Sequence, residues 1–304
     1  MSTLSATSAG SLQFSKLPNL PDPEGFAGSY AGVAGGHLIV AGGANFPGKK
    51  PWENGKKVWY DTVFALEKPD GQWKVVGKLP GPLGYGVSVT TDDGVVCIGG
   101  SDAEKHHAEV FLLSLSGDRL TTKSLPSLPV AFANGAGALL GQTIYVFGGS
   151  EQPGESAGLN RLFALDLKAA SAQWRELEPC PGKPRILPVA AATEGAFYVV
   201  GGAALEQNNG KTTRIYLRDA WSYRPESGWQ RCADLPKPAV AAPTPAPVSG
   251  STFYVIGGDD GSLVGFQPIS QHPGFPKSVL SYDARRDAWI VAEEAAASRA
   301  VLPT

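Results

Sequence analysis

The sequence has few cysteines, few charged residues and no long apolar stretch. Three cysteines among 304 residues form no CxxC motif, which argues against a disulfide framework and against a zinc site. Charged residues make up 18% of the chain and the formal net charge is −2, so neither nucleic acid nor an anionic membrane surface is an expected partner. No apolar run approaches the roughly 18 residues of a membrane-spanning helix.

Signals for export and for cofactors are also missing. Residues 1–13 are small and polar, without the basic and apolar regions of a signal peptide. We therefore expect a cytoplasmic protein, or a periplasmic one if a signal was removed before residue 1. The adjacent His106 and His107 point to opposite sides of an extended chain, and no dinucleotide or phosphate-binding fingerprint occurs. The sequence predicts neither a metal nor a cofactor.

Glycine and proline are abundant, with 38 and 25 residues, about a fifth of the chain against roughly 12% on average. Five apolar runs, such as LIVAGG and FYVIGG, each end in a glycine pair, and successive pairs are 57, 49, 53 and 56 residues apart. This spacing is close to the kelch period of about 50 residues. The runs are rich in β-branched and aromatic residues and predict buried strands. The pairs begin at Gly42, Gly99, Gly148, Gly201 and Gly257.

Each repeat contains a further pair of strands after the glycine pair. A short apolar strand comes first, and a strand marked by tryptophan follows, with Leu120 in place of tryptophan in the second repeat. Four strands a repeat predict small sheets arranged radially, because a β-propeller leaves only short, protected edges. The tryptophans are Trp73, Trp174, Trp229 and Trp289.

The N-terminus predicts how the ring closes. Phe14 precedes a Leu-Pro pair by six residues, as Trp73 does, so we interpret residues 11–16 as the outer strand of a sixth blade shared with residues 296–304. This predicts an all-β, six-bladed kelch-type propeller in one domain, 1–304, whose split sixth blade is incomplete at Thr304 because the chain is a truncated piece. The predicted complete blades are 22–76, 80–122, 126–177, 181–232 and 236–292.

Residues 22–110 carry a more specific resemblance. The segments DPEGFAGSYAGVAGGHLIVAGGANFPG, ENGKK and GYGVSVTTDDGVVCIGG resemble the bacterial N-acetylneuraminate epimerase family, in a cyclically permuted order. The resemblance implies a six-bladed kelch propeller with sialic acid mutarotase activity and no cofactor. The family also carries an acidic Gly-Glu, Pro-Gly, Arg element as its proton acceptor, and residues 1–304 contain no matching element.

Consecutive antiparallel strands run in opposite directions. The connection into each blade and the loop after each glycine pair therefore emerge on the same face of the predicted propeller. Long loops on a rigid scaffold commonly carry binding groups. Glu24, Arg185 and Arg299 lie on the approach to inner strands, where side chains can point to the axis. We expect Glu24 and Arg185 to be catalytic and Arg299 to bind substrate, although Glu24 also fits a turn and Arg185 an inter-blade salt bridge. The long loops are 44–58, 150–160, 203–217 and 259–277.

Further substrate contacts are expected from the same face. The loop PWENGKKVWYD combines aromatic, amide and charged side chains suited to a sugar, and it also fits a solvated charged loop. Tyr85 fits either a channel-facing hydroxyl or a core aromatic. The expected substrate-binding residues besides Arg299 are Asn45, Glu53, Asn54, Lys56, Tyr85 and Asp259.

Two functions remain open from the sequence. The first is an isomerase that interconverts the anomers of N-acetylneuraminate or a related acidic sugar by cofactor-free acid/base catalysis, because ring opening needs one group to take a proton and another to give one. The second is a non-catalytic kelch propeller that binds a carbohydrate or protein. The sequence leaves the oligomeric state open.

Overall fold

A computed structural model describes residue 12 and residues 14–292. It contains five four-stranded antiparallel sheets, each formed by one stretch of the chain, and two short two-stranded ribbons. Two 3₁₀ turns, Pro51–Glu53 and Ile269–Gln271, are the helical elements of the described residues. The expectation of an all-β fold built from antiparallel sheets is confirmed. No helix within residues 12 and 14–292 is long and apolar enough to cross a membrane.

The strands follow one another in chain order. Sheet 1 has β1 (Tyr30–Ala34) and β2 (His37–Ala41), then the ribbon β3 (Ala44–Asn45) and β4 (Val58–Trp59), then β5 (Thr62–Leu66) and β6 (Lys74–Lys78). Sheet 2 has β7 (Val87–Thr91), β8 (Gly94–Ile98), β9 (Val110–Ser116) and β10 (Arg119–Leu125). Sheet 3 has β11 (Ala133–Leu140), β12 (Thr143–Ser150), β13 (Leu162–Asp166) and β14 (Arg175–Leu177).

The last two sheets complete the series. Sheet 4 has β15 (Val189–Thr193) and β16 (Ala196–Val200), then the ribbon β17 (Ala203–Asn208) and β18 (Lys211–Tyr216), then β19 (Ala220–Arg224) and β20 (Gly228–Cys232). Sheet 5 has β21 (Val248–Ser249), β22 (Thr252–Ile256), β23 (Val279–Asp283) and β24 (Ala288–Ala292). The apolar runs before the glycine pairs form the second strand of every sheet.

Apolar side chains fill the space between consecutive sheets. Ile39 and Val63 of sheet 1 pack in one buried cluster with Cys97 and Leu113 of sheet 2, and equivalent clusters join sheets 2 and 3, 3 and 4, and 4 and 5. Burial of apolar surface on both faces of a sheet is the main stabilising term for such stacking. The inner strands β1, β7, β11 and β15 contact one another in that order, so the sheets stand side by side around an axis.

A chain of backbone hydrogen bonds links five residues, one for each sheet, that lie at the start of the inner strand or shortly before it. Each member after the first donates its N–H to the carbonyl of the member before it, over 2.7, 2.9, 2.6 and 3.1 Å. All five members have a left-handed backbone, which turns the chain toward the axis before each inner strand. We call this series the collar; its members are Gly28, Tyr85, Asn134, Leu187 and Ala241.

The tryptophans connect neighbouring sheets by a second recurring bond. The indole N–H of Trp73 donates to the carbonyl of Pro18 at 2.9 Å. The other three tryptophans donate to the carbonyl of the residue just after the last strand of the preceding sheet, at 2.8 to 2.9 Å. The interpretation of tryptophan as a marker of the step from one sheet to the next therefore has a physical basis.

The loop 203–217 and the split sixth blade were both predicted from the sequence. Residues 203–217 were expected to be a loop, and this is wrong: they form the ribbon β17–β18 around Asn209-Gly210, a turn pair typical of hairpins. Of the residues assigned to the split sixth blade, 12 and 14–16 are described and are not in a strand. Its other residues, 296–304 among them, lie outside the described part of the chain, so the six-bladed ring and the blade boundaries stay predictions.

Candidate functional site

A cavity of about 570 Å³ opens among the loops that follow the glycine pairs. The segments that follow the glycine pairs of four successive sheets each contribute one acidic or basic side chain to it: Lys57 from sheet 1, His106 from sheet 2, Glu155 from sheet 3 and Arg214 from sheet 4. We call it the loop-face cavity. Because its walls come from separate sheets, the rigid stack of sheets fixes how these groups face one another.

Two basic side chains of the cavity are free of carboxylates. Lys57 is half-buried, and its Nζ lies 4.0 Å from the ring centroid of Tyr85 and 5.0 Å from that of Trp59. Burial lowers the pKa of Lys57. Arg214 is exposed on β18, and the ion pairs among the described residues use other basic side chains. The pair therefore favours binding of an anion.

His106 forms a buried, neutral part of the wall. It is 6% exposed, its Nε2 lies 3.2 Å from Ser150 Oγ, and its Nδ1 has no partner among the described residues. Burial is the largest influence on the pKa of His106 and lowers it, which favours the uncharged imidazole. In residues 12 and 14–292, no group of three or more His, Cys, Asp or Glu side chains is arranged to hold a metal.

Asp102 shapes the turn that carries His106. Its carboxylate accepts hydrogen bonds from the N–H groups of Glu104 and Lys105, both at 2.8 Å, and contacts His107 Nε2 at 2.7 Å. Burial alone would raise the pKa of Asp102, but the two N–H groups and the imidazole outweigh it and lower the pKa to about 2.

The low pKa of Asp102 predicts an acid-sensitive contribution to stability. A depressed carboxyl pKa stabilises the fold above the unfolded value of about 3.9, and this stabilisation is lost as pH falls toward the folded value. Between pH 4 and pH 2 we expect the free energy of unfolding to fall more steeply for the wild type than for Asp102→Asn. Urea titrations at several pH values measure both slopes, and parallel slopes would contradict this role.

Two collar residues, Tyr85 and Asn134, form the floor of the cavity. Tyr85 and Asn134 line both the loop-face cavity and a channel of about 400 Å³ that continues along the inner strands. The lining of this channel is neutral, with glycine, alanine, serine and proline prominent. Burial raises the pKa of Tyr85 to about 12, so its hydroxyl stays protonated and can donate a hydrogen bond. The charged groups thus line the loop-face cavity and not the channel.

A neighbouring cavity of about 340 Å³ contains three of the residues expected from the sequence, Glu24, Asn45 and Tyr85, together with Lys57. Glu24 forms an ion pair with Lys50. Asn45 is 8% exposed, and its amide donates to Asp22 and Gly25 and accepts from Tyr60. Asn45 therefore holds the 22–25 turn in place. We call this second space the side cavity.

The other expected substrate contacts lie apart. Glu53 accepts the N–H of Lys50 at 2.8 Å and so stabilises the 3₁₀ turn, which ends at Asn54 in a left-handed conformation. Both residues and Lys56 are exposed; Lys56's neighbour Lys57 faces the two cavities instead.

Asp259 and Arg299 complete the expected set. Asp259 accepts the hydroxyl of Tyr216 at 2.7 Å and the N–H of Gly261 at 2.9 Å, so its oxygens support the loop between β22 and β23 of sheet 5. Arg299 lies outside the described residues.

Arg185 forms a salt bridge, but within the 181–232 repeat and not between blades, which was the alternative to a catalytic role. Its side chain is fully buried. Nη1 and Nη2 bind the two oxygens of Asp219 at 2.8 and 2.5 Å, and the remaining bonds go to the carbonyls of Lys183 and Gly201. Burial alone would raise the pKa of Asp219, but the Arg185 and Trp221 hydrogen bonds lower it. A guanidinium engaged in this way is not positioned to hold a substrate carboxylate.

Comparison with known proteins identifies the family. A sequence model described as N-acetylneuraminate epimerase matches residues 3–122 and 125–266, most of the chain. The chain belongs to the N-acetylneuraminate epimerase family. N-acetylneuraminate epimerase of Haemophilus influenzae (strain PittEE) is 39% identical over 128 residues, 37% of this chain and 34% of the relative. That of Salmonella enteritidis PT4 is 45% identical over 105 residues, 31% of this chain and 27% of the relative.

These matches cover about a third of the length of the curated N-acetylneuraminate epimerases. A solved structure, that of YjhT, aligns over 84% of this chain and 83% of its own, with a TM-score of 0.69 and 15% identity. At this identity the likeness shows the fold alone, which is a β-propeller.

Four residues that line the loop-face cavity of this N-acetylneuraminate epimerase family member were not among the substrate contacts expected from the sequence. Lys57, His106, Glu155 and Arg214 follow the glycine pairs of sheets 1 to 4 by 14, 6, 6 and 12 residues. Their common position after a glycine pair could have indicated that they share a cavity, because the loops after the glycine pairs emerge on one face. The signal was hard to see because the number of residues between glycine pair and side chain differs from repeat to repeat.

Proposed function

We propose that this protein catalyses the mutarotation of N-acetylneuraminate or a related acidic sugar, and that the reaction takes place in the loop-face cavity. The family supports the substrate class. The observation that carries the proposal is that titratable side chains from four successive sheets share one cavity. Mutarotation needs a cation for the substrate carboxylate, a proton acceptor and a proton donor, and this set offers all three without a cofactor.

Three of the four cavity residues are assigned a role in the proposal. Arg214 binds the carboxylate, for which its planar guanidinium suits a bidentate contact. Glu155 is half-buried and accepts the N–H of Glu151 at 3.0 Å; it takes the proton of the anomeric hydroxyl. The lowered pKa of Lys57 makes its ammonium group a suitable donor to the ring oxygen.

The proposed steps balance without an oxidant or a reductant. As Glu155 takes the hydroxyl proton, the bond between the anomeric carbon and the ring oxygen breaks, and its electron pair goes to the ring oxygen, which accepts a proton from Lys57. The anomeric carbon becomes a ketone. After rotation about the adjacent carbon–carbon bond, the ring hydroxyl adds to the other face of the ketone, and both protons return to where they came from.

We also propose that residues 11–16 and 296–304 are parts of one split sixth blade, which stands between sheets 5 and 1. The indole bond from Trp73 to Pro18 supports this proposal. Pro18 stands four residues after Phe14, as Glu178 and Ala233 stand four residues after Trp174 and Trp229 and accept the next indole. The N-terminal segment thus shares the bond made between complete repeats.

The functional proposal predicts a dependence on the substrate carboxylate. NMR exchange spectroscopy measures the interconversion of anomers for N-acetylneuraminate and for its methyl ester, with and without protein. We expect the wild type to accelerate the acid much more than the ester, and Arg214→Gln to reduce that preference about tenfold or more. Equal acceleration of both sugars would contradict the carboxylate role of Arg214, and no acceleration of either would contradict the function.

A further inference from the structure

The backbone of the collar is unusual at four of its five residues. Tyr85, Asn134, Leu187 and Ala241 have φ values of 60°, 60°, 53° and 56°, the left-handed region in which an L-residue is disfavoured and glycine is not. Sheet 1 has Gly28 at the same place. Four side chains are thus retained where glycine would suit the backbone better, and strained residues of this kind cluster at functional sites.

Only part of the collar faces the loop-face cavity. Tyr85 and Asn134 line it, whereas Ala241 lines the central channel. The hydrogen bonds that Tyr85 and Asn134 make to described residues come from their backbone groups. Their phenol and amide are therefore open to a ligand, beside the two basic side chains of the cavity.

We propose that Asn134 and Tyr85 are specificity-determining residues that bind the acidic sugar from the floor of the loop-face cavity. This inference rests on the proposed function. The Asn134 amide can donate to one oxygen of the sugar and accept from a hydroxyl or acetamido N–H. Tyr85 offers a hydroxyl that donates, next to Lys57, whose Nζ lies 4.0 Å from the centroid of the Tyr85 ring.

The left-handed backbone permits a test that separates binding from folding. Asn134→Gly removes the amide at a position where glycine fits the backbone, and Ala241→Gly makes the matched change at a collar residue of the channel. We expect Asn134→Gly to raise KM for anomer exchange about tenfold, the size of one lost hydrogen bond to a ligand. We expect Ala241→Gly to leave KM unchanged. Neither variant should have a lower thermal midpoint than the wild type.

The competing explanation is that asparagine stands at residue 134 because it tolerates the left-handed region better than most residues. In that case Asn134→Gly keeps the wild-type KM, and this result would overturn the inference. If the wild type does not accelerate exchange, the proposed function fails. The dissociation constant of N-acetylneuraminate is then measured in place of KM for the wild type and for Asn134→Gly. A roughly tenfold weaker constant for Asn134→Gly then supports the inference, while an equal constant, or no binding by the wild type, overturns it.

Discussion

Asp219→Asn should lower the free energy of unfolding by about 3–5 kcal/mol, because it leaves the buried Arg185 guanidinium without a counter-charge. Arg185 is fully buried and Asp219 is its bidentate partner. Denaturation in urea, followed by tryptophan fluorescence, measures the change. Asp118→Asn is the matched control, since Asp118 pairs with Lys74 on the surface and such pairs contribute about 0–1 kcal/mol.

The same variant distinguishes the two roles considered for Arg185. A salt bridge predicts a large loss of stability and little change in substrate affinity for the fraction of protein that remains folded. Wild-type stability with a strongly weakened affinity for the acidic sugar would instead place Arg185 in contact with substrate, which its hydrogen bonds in this structure do not favour.

Glu155→Gln should reduce the rate of anomer exchange by about 10²–10⁴-fold, the range expected for loss of a positioned general base. The amide keeps the size of the side chain, so KM and thermal midpoint should change little. Glu24→Gln is the control in the side cavity, where Lys50 already neutralises Glu24, and we expect its rate to stay within a few-fold of the wild type. The opposite result, a large loss for Glu24→Gln alone, would assign the base to Glu24.

Features set by local periodicity were predictable from the sequence. The apolar runs before the glycine pairs repeat every 49 to 57 residues, and the strands marked by tryptophan or Leu120 repeat every 47 to 60. Each run forms a strand, because its apolar pattern determines how it packs between sheets. The strand predicted at Phe14 from the six-residue spacing to Leu-Pro stays a prediction, and residues 14–16 are not in a strand. The Asn209-Gly210 pair was a signal for the β17–β18 hairpin that was not used.

The candidate site was less predictable because it depends on contacts that no local pattern encodes. Lys56 and Lys57 are adjacent and chemically alike, and only the folded loop shows which one faces Tyr85. Arg185 was expected to point to the axis, but its partner Asp219 lies 34 residues further along the chain. Asn45, expected to bind sugar, hydrogen-bonds within the protein because the 22–25 turn packs on β3.

Proton NMR of freshly released α-N-acetylneuraminate tests the central claim most directly. The decay of the α signal is followed at fixed pH and buffer, without protein, with the wild type and with Glu155→Gln. We predict clear acceleration by the wild type and a rate close to the buffer control for Glu155→Gln. A wild-type rate equal to the buffer control would contradict catalysis by this chain and favour a propeller that binds its sugar without converting it.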